Sequence, residues 1–174
     1  MSFRQNTGSE GAVDKCDRSE DGAEPVGHLT SLVTIEQRIV LCLRLWLDGP
    51  DYHQTTIGML KMDYGTQSAN KLMVAFEAFM SAVALSIERQ VCRHAPACPC
   101  LGRDEAVLMT IVRHAALGDR FSATVHAARF VKEHRMPAVI EAAVMLGAEM
   151  AQINHTEVSP IERPKPTHLT RAVH

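Results

Sequence analysis

The chain has 174 residues, 46% of them apolar and only 5% aromatic, with nine methionines, one tryptophan and a formal charge of -2. That length suits a single domain with a sizeable core. The near-neutral charge supplies no global field toward nucleic acid or anionic lipid. The wealth of Ala, Leu, Val and Met over β-branched alternation predicts helix rather than sheet.

Residues 1–27 carry six acids against three bases, with four glycines and almost no apolar periodicity. Such a stretch buries too little surface to offset its ordering entropy, and we expect a disordered acidic tail. It lacks the apolar core of a signal peptide. The longest apolar run, Ile39 to Leu47, is interrupted by Arg44 and is far short of the ~20 residues that span a bilayer. A soluble, cytoplasmic protein without a membrane segment is the expectation. In a reducing compartment, clustered cysteines point to metal ligands or redox thiols before disulfides.

The first helix is expected to begin near Thr30 or Thr34. Thr34 with Gln37 has the form of a capping box, and Glu36 suits the positive end of the helix dipole. Apolar residues surround nearly the whole circumference after Arg38, which predicts a central helix or an oligomer contact. Asp48-Gly49-Pro50 is its stop signal. Residues 51–65 read as a short helix weakened by Thr55, Thr56 and Gly58, closed by a turn at Tyr64-Gly65.

A long helix should follow from Gln67 or Ser68 to Val91, because Leu72, Phe76, Phe79, Val83 and Ile87 recur at spacings of three and four. Another runs from Asp104 and Glu105 past Val107, Leu108, Ile111 and Val112 to Leu117, with Gly118 as its C-cap. A further helix from Asp119 or Ser122 is expected to pass Val125, Ala128 and Val131 and to stop before Pro137. Pro137 then opens a last helix that fades near His155. Residues 156–174, with three prolines, read as an extended tail. The fold class expected is all-α: a compact bundle of five or six helices over residues 28–155 between two tails.

Between the two clearest helices lies Cys92-Arg93-His94-Ala95-Pro96-Ala97-Cys98-Pro99-Cys100, which holds three of the five cysteines. Cys92, His94, Cys98 and Cys100 form a Cys3His set, a familiar tetrahedral zinc complement, and short spacing keeps loop closure cheap. The expectation is a structural zinc clip, with Cys42 a possible further thiolate but a better core residue. Ordinary thiols in a helix connection are the plain alternative. A second is redox chemistry at Cys98-Pro99-Cys100. A third is a catalytic metal with Asp104 or Glu105 as base, although both acids are also explained as first-turn dipole partners.

His126, Arg129, Lys132 and Arg135 make a mildly basic surface of the kind a nucleic-acid-binding helix carries, interrupted by Glu133. No phosphate loop, nucleophile elbow or paired Glu-x-x-His motif occurs. The expected function is therefore a non-enzymatic interaction or regulatory module, forming a homodimer through its all-round apolar first helix. The alternatives are a metal-dependent or thiol-based enzyme and a nucleic-acid-binding regulator.

Overall fold

A computed structural model describes residues 4–5, 21–46, 51–89, 91–129 and 131–158. The Asp48-Gly49-Pro50 stop, most of the acidic segment and the final tail from residue 159 lie outside the described residues.

The described chain is mostly helical. Five helices, α1 (Thr34–Trp46), α2 (Asp51–Ala84), α3 (Arg103–Ala116), α4 (Arg120–Ala127) and α5 (Met136–Val158), enclose one apolar core. Four short strands join them: β1 (Arg4–Gln5), β2 (Pro25–His28), β3 (Cys92–Arg93) and β4 (Cys100–Gly102). β1 pairs in parallel with β3, and β2 pairs antiparallel with β4, with a register irregularity between Pro25 and Gly27. The helical expectation holds for the described residues, and the elbow adds short strand pairs that it did not include.

α1 buries Ile35, Ile39, Val40, Cys42 and Leu43. Thr34 is its first helical residue rather than its cap, and the Gln37 side-chain amide donates to the Leu32 carbonyl. Glu36 does more than face the dipole: it accepts a bidentate pair from Arg113 of α3, at 2.9 Å for each bond. α2 is two helical arms meeting at Gly65, whose φ of 76° a side chain would strain. Its second arm buries Leu72, Phe76, Phe79 and Val83 along one seam.

That arm ends at Ala84, seven residues before the expected Val91. Tertiary pairing explains the early stop. The Ser86 carbonyl accepts from the Lys132 amide, and Ile87 bridges to Val131 as an isolated antiparallel pair. The same pairing holds Val131 out of α4, which stops at Ala127. A short 3-10 turn over Glu133–Arg135 then leads into α5 at Met136, one residue before Pro137.

α5 packs on both α2 and α3. It can approach α3 closely because residue 147 is glycine: a Cβ there would stand 2.5 Å from the Ala116 Cβ and 3.1 Å from the Val112 carbonyl oxygen. The segment Glu133–Asn154 is long and apolar enough to cross a membrane by length and composition, and half of that window is buried within the fold.

The N-terminal segment is not loosely attached where it is described. Residues 21–28 lie along the start of α3 and pair with β4, tied by the Arg103 amide donating to the Glu24 carbonyl and by an Arg103–Glu24 ion pair. Composition alone could not show this, since the gain comes from backbone pairing with a distant segment rather than from apolar side chains.

Candidate functional site

The connection from α2 to α3 carries all four proposed metal donors in its second part, residues 91–102. Cys92 and Cys98 are buried, His94 is 1% exposed, and Cys100 is partly exposed. Cys92 lies on β3 and Cys100 on β4, each in a strand paired with the N-terminal segment.

What gathers this elbow is an ion pair. Arg44 of α1 is 0% exposed, and so is Glu105 in the first turn of α3. Arg44 Nε and Nη2 donate to Glu105 Oε1 and Oε2 at 2.8 and 2.7 Å. Its Nη1 donates to the carbonyls of Cys98 and Ala95 at 2.7 and 3.2 Å, and Nη2 also donates to the Cys100 carbonyl at 2.6 Å. All five guanidinium N–H groups are thus used.

Glu105 is equally occupied. Beside Arg44, Oε1 accepts from the His94 amide at 3.0 Å and Oε2 from the Gly102 amide at 2.9 Å. The Gly102 bond is half of a capping box on α3. A buried charge pair costs several kcal/mol of desolvation for each ion, so it persists only when geometry and extra bonds offset that cost. Here each partner meets the other and backbone besides.

Asp104 repeats the pattern on the outer side. It is 1% exposed, accepts from the Cys92 amide at 2.9 Å, and takes a bidentate pair from Arg89 at 2.6 and 2.7 Å. Residue 22 must be glycine or nearly so, because a Cβ there would overlap the Asp104 carboxylate. Gly102 has a comparable role: a Cβ would lie 2.8 Å from His94 Cδ2.

Two of the sequence-predicted donors, His94 and Cys98, stand side by side. Cys98 Sγ stands 3.7 Å from His94 Nδ1. No group of three or more His, Cys, Asp or Glu side chains that could hold a metal ion forms among the described residues. Cys42, the possible further thiolate, is buried in the core, and burial pushes its thiol up to about 12. The unfolded thiol ionises near 9.0, so this group's contribution to stability is intact below pH 9 and is lost as pH rises from 9 toward 12. Alkylation of the native protein at pH 8 should modify Cys100 first among the described cysteines and Cys42 last, after unfolding. Peptide mass mapping checks the order; equal rates at Cys42 and Cys100 would contradict this packing.

The basic residues do not share a recognition helix. His126 is on α4, Arg129 and Lys132 follow its end, and Arg135 closes the 3-10 turn. His126 instead stacks on His114.

Sequence reasoning missed Arg44 as an organising residue. Its one signal was a lone arginine among apolar residues over the last turns of α1. Comparison with protein-family models, with curated proteins and with solved structures finds no match.

Proposed function

We propose that this chain is a non-catalytic, cytoplasmic interaction module, working as a homodimer, whose elbow is a rigid joint that takes a structural zinc ion. The observation that carries the reading is that Asp104 and Glu105 both hold the elbow backbone through its amides while paired with buried or half-buried arginine. Glu105 accepts four bonds and Asp104 three, all from arginine or backbone amides, which leaves Glu105 no position and Asp104 one for a water or a substrate proton.

His94 and Cys98 supply the start of the zinc site. Tetrahedral zinc at ~2.3 Å from sulfur and ~2.0 Å from nitrogen sets those two ligands roughly 3.5 Å apart, against 3.7 Å between Sγ and Nδ1 here. Cys92 and Cys100, one on each bordering strand, are the candidates to complete the set. The same spacing would also suit a thiol–imidazole nucleophile, the second reading. Burial weighs against it, since His94 and Cys98 are each 1% exposed and a substrate would have to open the elbow.

Two measurements test the reading. Protein purified without an affinity tag should contain about one zinc ion per chain, melt at lower temperature in chelator, and lose the metal on Cys98→Ser. Metal-free protein whose melting ignores chelator would remove the zinc. Sedimentation equilibrium should give twice the 19.2 kDa chain mass; a monomer at high concentration would remove the dimer.

A further inference from the structure

The corner between α3 and α4 brings together two histidines from different helices. His114 lies in the last turn of α3 and His126 in the last turn of α4, with ring centroids 5.5 Å apart and planes inclined by 16°. The corner is tightly fixed. Gly118 takes φ of 78°, the Gly118 and Asp119 amides donate back to the carbonyls of Ala115 and His114, and Asp119 caps α4 by accepting from the Ser122 amide at 3.0 Å. The other carboxylate oxygen of Asp119 lies 3.2 Å from His114 Nδ1. The bonds from Ser122, with His114 adding to them, hold the Asp119 carboxyl below its usual range.

We propose that His114 and His126 form a second cation site, for a divalent transition metal of the zinc, nickel and copper class, with Asp119 as the carboxylate behind His114. Imidazole nitrogen is the ligand those ions favour. In a tetrahedral site each ring centroid lies ~3.2 Å from the ion, which puts two centroids roughly 5.2 Å apart. The observed 5.5 Å needs no movement of either helix. The rings stack as they stand, so binding would require the His126 ring to turn about its soft χ2 torsion toward His114 Nε2.

Asp119 matters as much as the spacing. A histidine that ligates a metal commonly donates its other N–H to a carboxylate, which fixes the tautomer and raises the ring's basicity. With Nδ1 facing Asp119, His114 presents Nε2 outward. Among the described residues, neither that nitrogen nor either nitrogen of His126 has a hydrogen-bond partner. The site is independent of the elbow, and its remaining coordination positions face solvent, since His114 keeps 32% of its side-chain exposure.

Paramagnetic Ni2+ is the probe, added to the untagged full chain while the histidine ring signals are followed by NMR. Signals of His114 and His126 should broaden together at substoichiometric Ni2+, ahead of the other histidines. Nickel at the elbow would broaden His94 instead, which separates this site from the zinc reading. Asp119→Asn keeps a good helix cap but removes the carboxylate, and should weaken binding at least about tenfold. His126→Ala should abolish the joint broadening while leaving the metal-free melting temperature in place. Broadening spread evenly over all histidines, or unchanged at His114 in His126→Ala, would overturn the proposal.

Discussion

Replacing Arg44 with methionine should destabilise the fold by about 3–5 kcal/mol, the range expected when one member of a buried ion pair is removed. The loss has two parts. Glu105 is left as a buried charge without its partner, and the carbonyls of Ala95, Cys98 and Cys100 lose their donor. Where the lost bond is buried, as at the Cys98 carbonyl, removing the donor costs about 1–3 kcal/mol. Urea unfolding followed by circular dichroism measures the change. A variant within about 1 kcal/mol of the parent would mean that water reaches the elbow and takes over from the guanidinium.

The second large effect lies in the seam of α2. Phe76 is 1% exposed and belongs to the central core cluster. Phe76→Ala should cost about 3–5 kcal/mol, the transfer free energy of the ring plus that of the cavity left behind. Val74, two residues away and 65% exposed, is the internal control. Val74→Ala should stay within about 0.5 kcal/mol of the parent. Similar losses at both positions would place the helix in another rotation about its axis.

These two sites also mark what the sequence disclosed and what it did not. Phe76 was legible because a spacing of three and four leaves a pattern along the chain, and the residues it picks out are buried together. The start of α3 and its Gly118 terminus were legible for a similar reason, since dipole partners and a left-handed glycine act within one turn.

The early end of α2 left no such mark. Ile87 continues the helical spacing perfectly well, and only its pairing with Val131, 44 positions away, takes it out of the helix. The partner strands of the elbow are concealed in the same way, because Pro25–His28 reads as tail until Cys100–Gly102 lies beside it.

The elbow's internal logic was half visible. Its cysteines, histidine and prolines announced a special turn, and zinc chemistry was the natural expectation from the donor set. Asp104 and Glu105 looked complete as helix-dipole partners, so nothing local required them to bind anything else. Their further partners, Arg89 at 15 residues' remove and Arg44 at 61, are set by tertiary structure. An arginine in an apolar helix carries one usable hint: burying it requires a carboxylate and spare carbonyls nearby. The chain supplies both within the Cys92–Glu105 stretch.

Arg44 and Glu105 act as one unit in building the elbow. A double-mutant cycle with Arg44→Met and Glu105→Gln tests it most directly, because glutamine keeps the shape of Glu105 and removes its charge. The double variant should lose less stability than the two single losses together, by about 2 kcal/mol or more. Single losses that add to within about 0.5 kcal/mol would contradict it.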